Sequence, residues 1–204
     1  MQLDTIIFDL GGVLIDWNPE YVFRTVIPED DRRAFFFANI CTSDWNVEQD
    51  AGRTLQEGTD LLVAQWPEWE SEIRTFYGRW EDMLGGPIPE TVELFRALKE
   101  QGMHRLLALT NWSHETFPVA LERYDFLHWF EGIVVSGVEK TRKPFTDIYK
   151  ILLERYSVDP ERAVFIDDNL HNVKAAESLG IKGVHFLSAD DLREKLHAYS
   201  LVSQ

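Results

Sequence analysis

The sequence predicts an α/β fold: a parallel sheet with helices on both faces, and a small all-helical unit inserted after the first strand. Three observations carry that expectation. Short apolar, β-branched runs recur along the chain, and each stops at a polar residue or a glycine. Segments of helical period separate them, which is the order that parallel crossovers impose. Between residues 17 and 90 the alternation stops, and helix openings of proline followed by acids take its place.

The elements follow in order. LDTIIF at residues 3–8 is the first strand, ending at Asp9 and a tight Gly11-Gly12 loop. In the next segment Pro19-Glu20, Pro28-Glu29-Asp30-Asp31 and Pro67-Glu68 each open a helix, with acids where the helix dipole favours them. Five of the seven tryptophans (Trp17, Trp45, Trp66, Trp69, Trp80) fall here, enough apolar material for a separate small core. After Gly85-Gly86-Pro87, Val92, Phe95 and Leu98 mark one face of a helix that Gly102 caps. RLLAL (105–109), GIVVS (132–136), AVFID (163–167) and GVHF (183–186) are the later strands. Helices near 114–123, 146–156 and 170–179 separate them, and an amphipathic helix from Asp190 to Tyr199 follows. The expected organisation is a Rossmann-like domain of residues 1–16 and 91–204, with a helical domain at 17–90.

Composition narrows the function. The 204 residues are 45% hydrophobic and 27% charged, which excludes disordered, collagen-like and low-complexity classes. A single cysteine, Cys41, allows no internal disulfide and fits a buried thiol in a reducing compartment. The net charge of −15, from 20 Lys and Arg against 35 Asp and Glu, leaves little material for the cationic face that nucleic acid requires. No apolar run approaches the roughly 20 residues of a membrane span. The opening Met-Gln-Leu-Asp lacks the basic start of a signal peptide. The expectation is an acidic cytoplasmic protein, monomer or homodimer, that binds neither nucleic acid nor membrane.

Ligands of open α/β sheets bind beyond the carboxyl ends of the strands. There the first strand delivers Asp9, the second Thr110-Asn111 and the last long one Asp167-Asp168. The loop after GIVVS carries Lys140, Arg142 and Lys143. Taken singly, a carboxylate or a threonine at a strand end reads as a helix cap. Together on one rim they read as a site. The six histidines show no paired ligand spacing, so zinc is not expected.

FDLGGVL around Asp9, LALTN ending at Thr110-Asn111, RKP at Lys143-Pro144 and FIDDN at Asp167-Asp168 resemble motifs one to four of the haloacid dehalogenase (HAD) superfamily. They occur in order and span the sheet domain. The insert resembles the helical cap of the subfamily that carries its cap at that position. FDLGGVLID, with the paired acids, is most similar to the sugar-phosphate phosphatase branch, of which glucose-1-phosphate phosphatase is one. The resemblance implies a Mg²⁺-dependent phosphatase acting on a small phosphorylated metabolite, a sugar phosphate first among them. It implies Asp9 as the nucleophile, with Asp9, the backbone carbonyl of Gly11, Asp168 and Asp167 around the metal. Thr110, Asn111 and Lys143 would bind the phosphoryl group, Thr110 and Lys143 also assisting the chemistry. Asn172, where many relatives carry an acid, either orients metal-bound water or is a plain helix residue. The physical case is consistent: a carboxylate nucleophile splits hydrolysis into two easier displacements, and Mg²⁺ binds through one or two carboxylates plus substrate oxygens.

The pattern breaks at Gly11, where most phosphatases of the superfamily carry a second Asp for proton transfer, help typically worth about 10²–10⁴-fold. Three readings stay open. Asp16, the nearest carboxylate in sequence, is the candidate replacement acid, against a plain role as a linker cap. Turnover is otherwise slow or confined to good leaving groups. Or the chain is a metal-independent dehalogenase, or a catalytically weak binding or regulatory protein of the same fold. The paired Asp167-Asp168 suits a cation and favours the phosphatase. Residues 17–90 hold 15 acids against six Arg and no Lys, a lid that repels polyanions and leaves a small-molecule phosphate ester as substrate. Asp44, Trp45, Asn46 and Arg53 are the candidate cap contacts, against a reading as helix caps and one core Trp. Phe35-Phe36-Phe37 reads as core.

Overall fold

Backbone pairing in the computed structural model, which describes residues 3–202, gathers five of the apolar runs into one parallel sheet. In chain order, β1 (Thr5–Phe8) leads into a short strand, β2 (Ile15–Trp17). The insert follows as α1 (Glu20–Val26), α2 (Asp30–Asn39), α3 (Ser43–Asp50), α4 (Leu55–Gln65) and α5 (Glu70–Gly78), and returns through β3 (Leu84–Pro87). Then come α6 (Pro89–Gln101), β4 (Arg105–Thr110), α7 (Phe117–Arg123), β5 (Gly132–Val135) and α8 (Ser136–Glu139). The remainder is α9 (Thr146–Arg155), β6 (Ala163–Asp167), α10 (Leu170–Glu177), β7 (Lys182–His185) and α11 (Ala189–Ala198). The sheet order is β5-β4-β1-β6-β7, so β1 is central.

Successive strand residues point to opposite faces. Ile6, Phe8, Leu106, Ala108, Val164 and Ile166 share one buried cluster with Phe95, Leu98, Phe117, Leu192 and Leu196 of α6, α7 and α11. Ile7, Leu107, Leu109 and Phe165 pack on the other face against Ile148, Tyr149 and Leu152 of α9 and Ala176 of α10. Burial on both faces explains why these strands are apolar throughout rather than alternating. Each buried Leu, Ile or Phe contributes about 1.5–3 kcal/mol. That rigid platform holds the ends of β1, β4 and β6 together.

The insert packs a cluster of its own, including Val22, Phe23, Phe36, Ile73, Phe76 and Met83. It departs from the sequence expectation in four respects. It is not wholly helical: β2 and β3 pair antiparallel at its base, with Ile15 opposite Pro87 and Asp16 opposite Gly86. The outgoing and returning chain run side by side there, and pairing satisfies backbone groups that would otherwise be stranded. Pro67-Glu68 opens a 3-10 turn, Pro67–Trp69, ahead of α5. Helices α3 and α4 have no proline opening; Thr42 caps the first, and Thr54 with Glu57 forms a capping box on the second. Of the Phe triplet only Phe36 is fully buried, while Phe35 lies on the outer side against Trp66 and Trp69. In the sheet domain, residues 114–116 form a turn ahead of α7 rather than its first residues. Among the described residues no helix is long and apolar enough to cross a membrane.

Candidate active site

Asp9 follows β1 directly, and its backbone N–H donates to Ile166 of β6, so the sheet register extends to the rim. The residue is 7% exposed. Oδ1 accepts from the N–H of Leu10 at 2.7 Å, and Oδ2 lies 2.8 Å from Nζ of Lys143. That ammonium, in a residue 1% exposed, also donates to Oδ2 of Asp167 at 2.7 Å. Asp167 ends β6 and accepts further bonds from the Asn169 N–H at 2.7 Å and from the Asn172 side chain at 3.1 Å to each oxygen. Asp168, exposed on the rim, completes the group. Asp9, Asp167 and Asp168 each offer an oxygen within 4.8 Å of the others.

This cluster is charge-imbalanced. Three carboxylates face one ammonium, and burial raises the cost of every uncompensated charge. Burial pushes the Asp9 carboxyl up to about 8, Asp167 and Asp168 adding to the rise and Lys143 opposing it. Asp168 is raised too, by desolvation first and Asp167 second. For Lys143 burial alone would lower the ammonium, but Asp167 and Asp9 outweigh it and hold it above the ordinary lysine value. Three hard oxygen donors with net negative charge are the donor set that a small divalent cation takes. Gly12 makes room for the Asp168 carboxylate: φ is +72°, and a Cβ there would lie 2.5 Å from its Oδ2.

Thr110 ends β4, and its buried Oγ1 has no hydrogen-bond partner among the described residues. A buried hydroxyl is normally satisfied, so this donor is free for a ligand oxygen. Asn111 clamps the neighbouring loop: its Oδ1 accepts from the Lys143 N–H at 2.9 Å and its Nδ2 donates to the Lys143 carbonyl at 3.0 Å. Beside the cluster opens a cavity of about 210 Å³ lined by Gly11, Trp17, Asn46, Asp50, Tyr77, Trp80, Asn111, Trp112, Ser113 and Thr116. Gly11 and Asn111 belong to both the rim and the cavity, so the two are continuous.

The sequence model of the family described as haloacid dehalogenase-like hydrolase matches residues 3–180. The chain belongs to that family. A sesquiterpene phosphatase of Aspergillus oryzae is 29% identical to this HAD-like hydrolase over 88% of this chain and 87% of its own length. A phosphorylated carbohydrates phosphatase of Thermotoga maritima is 27% identical over 90% of this chain and 84% of its own. Among solved structures, a HAD family enzyme of Bacteroides thetaiotaomicron in a magnesium complex superimposes with a TM-score of 0.67. That match is 25% identical and covers 89% of this chain and 92% of that one.

The structure of this HAD-like hydrolase thus brings Asp9, Thr110, Asn111, Lys143, Asp167 and Asp168 to one rim, while Asp16 faces elsewhere. In β2 its side chain alternates with that of Trp17, which lines the cavity; Asp16 accepts from the Tyr21 hydroxyl and lies against Gly85. Of the four candidate contacts from the insert, only Asn46 lines the cavity. Asp44, Trp45 and Asn46 lie in α3, which distributes them around its axis, while Arg53 lies in the non-helical stretch beyond its end. Asp44 is exposed. Trp45 belongs to the insert's core, its indole N–H bonded to the Gly58 carbonyl. Arg53 folds back onto Gln49 and the Trp45 carbonyl. Asn172 holds Asp167 rather than facing the cavity. Arg142 reaches across to Glu48 of α3 at 3.4 Å. Sequence reasoning missed Asp50, Tyr77, Trp80, Trp112 and Ser113. For Asp50 a signal existed: it sits one helical turn beyond Asn46, on the same face.

Proposed function

We propose that this hydrolase dephosphorylates a small phosphorylated metabolite, a sugar phosphate first among candidates, with Mg²⁺ as cofactor and an aspartyl-phosphate formed on Asp9. The carrying observation is the trio of carboxylates within 4.8 Å around a single buried ammonium, an arrangement that calls for a cation and an anionic ligand together. Asp9, Asp168 and the Gly11 carbonyl would hold the metal. Asp167 already accepts four hydrogen bonds from three donor groups over its two oxygens, so its part is to fix Lys143 and add charge. When bound, Mg²⁺ neutralises charge between nucleophile and phosphoryl group.

The chain's own groups supply the rest. Asp9 attacks phosphorus; Lys143 orients its attacking carboxylate and stabilises the phosphoryl oxygens. The unpartnered Thr110 hydroxyl donates to one of those oxygens. Asn111 acts through Lys143, holding its backbone at both ends. The cavity of about 210 Å³ beside the cluster is the space a compact monoester would enter. Its walls of Trp17, Tyr77, Trp80 and Trp112 offer flat faces against which a sugar ring packs.

A panel of phosphate monoesters and 2-haloacids, assayed with Mg²⁺ and with a chelator, tests the reading. Phosphate release that stops on chelation supports it. Halide release without metal would establish a dehalogenase instead. Ligand binding with neither reaction would mark a binding or regulatory protein.

A further inference from the structure

We propose that Asp50, supplied by the insert, is the proton-transfer residue of this active site in place of the missing acid at Gly11. The proposal rests on the phosphatase reading above. Gly11 leaves a gap: a Cβ built there would meet nothing within 4 Å, so the wall beneath the substrate has neither side chain nor proton donor at that point. Among the described residues lining the same cavity, Asp50 is the one that carries a carboxyl group.

Its position is held from both sides of the cleft. The Ser113 backbone N–H, in the loop after β4, lies beside the Asp50 carboxylate and favours its charged form. Asn46 Nδ2 approaches its Oδ2 at 3.4 Å, and the Ser136 hydroxyl donates to the Asp50 main-chain carbonyl. Asp50 is also the last residue of α3, where the helix dipole disfavours a negative side chain. The charged groups that bear on it are Arg142 and Lys143, both favouring the carboxylate, and the Tyr77 phenol shares the cavity wall. Burial outweighs those cations and pushes Asp50 up to about 7, so both protonation states are populated near neutral pH.

The proton balance closes over two half-reactions. In the first, an Asp9 oxygen bonds to phosphorus, the ester P–O bond breaks, and the leaving oxygen takes the Asp50 proton to depart as an alcohol. In the second, a water oxygen bonds to phosphorus, its proton passes to the Asp50 carboxylate, and the P–O bond to Asp9 breaks. Phosphate leaves with Asp9 ionised and Asp50 protonated again.

The test compares phenyl phosphate, a poor leaving group, with p-nitrophenyl phosphate, a good one, using the full chain with Mg²⁺. Asp50→Asn should lower phenyl phosphate turnover by about 10²–10⁴-fold. On p-nitrophenyl phosphate it should release a burst of about one equivalent of nitrophenolate before slow turnover, because only the second half-reaction then needs the base. Gly11→Asp in the Asp50→Asn background should restore phenyl phosphate turnover, since the gap at residue 11 admits a side chain. Equal losses on both esters without a burst, or no loss on either, would overturn the role of Asp50. Absence of Mg²⁺-dependent turnover by the unaltered protein sinks the phosphatase reading itself, and the proposal with it.

Discussion

Lys143 and Asp9 meet at 2.8 Å between Nζ and Oδ2, in side chains that are almost wholly buried. A buried ammonium without a carboxylate partner is several kcal/mol unfavourable, so the pair stands because Asp167, 2.7 Å away on the other side, shares the same ammonium. The geometry that would order Asp9 as the proposed nucleophile is therefore also a structural tie between β1, β6 and the loop after α8.

Lys143→Met should break that tie. The variant leaves Asp9 and Asp167 without their cation, and loss of one partner of a buried pair costs about 3–5 kcal/mol. Urea unfolding should show a lower midpoint at pH 8, where the carboxyls are driven to ionise, and a smaller deficit at pH 5, where they take up protons.

Asp9→Asn should abolish phosphate release, by roughly 10⁴-fold or more for loss of a nucleophile, while leaving the far-UV circular dichroism unchanged. Lys143 keeps Asp167 in that variant, so the sheet end stays tied. Beryllofluoride, which occupies a phosphorylated carboxylate's place, should raise the melting temperature of the unaltered protein only with Mg²⁺ present, and should not raise that of Asp9→Asn.

Metal affinity should depend on Gly12 as well as on Asp168. Gly12→Ala puts a Cβ 2.5 Å from Oδ2 of Asp168 and forces a residue with a side chain to φ +72°. Displacing a ligand group in this way should weaken Mg²⁺ binding by about 10–100-fold, on the scale seen when metal-ligand orientation is lost. Isothermal titration with Mg²⁺ alone measures it; unaltered affinity in both Gly12→Ala and Asp168→Asn would move the cation elsewhere.

Asn111→Ala should separate positioning from binding. Two hydrogen bonds to the Lys143 backbone disappear, each worth about 0.5–1.5 kcal/mol. Stability should fall by that order and kcat with it, while KM changes little.

Stability should respond to pH through Asp50. Its folded-state pKa, raised to about 7 by burial, exceeds the unfolded value near 3.8, so the folded protein binds the extra proton between those limits. Stability from this group is fully present below about pH 4 and is lost as pH rises through 7. Melting temperature should decline over that window in metal-free protein, and Asp50→Asn should flatten the decline; an unchanged slope would refute the assignment.

Much of this molecule was legible in one dimension because strand ends are local features. An apolar run stops where the chain leaves the sheet, so Asp9, Thr110 and Asp167 could be placed on the rim from order alone, and the paired acids pointed to a cation. Chain order could not say that Asp16 turns away, because a two-residue periodicity in β2 depends on β3 returning beside it. Nor could it find Asp50. That residue's surroundings are built by Ser113, Ser136, Arg142 and Lys143, all from the opposite side of the cleft and more than sixty positions along the chain. Residue types and local spacing set which groups reach the end of the sheet; burial, and with it the charge state of Asp9, Lys143 and Asp50, came only from packing distant segments together, since desolvation belongs to a place in space and not to a position in a sequence.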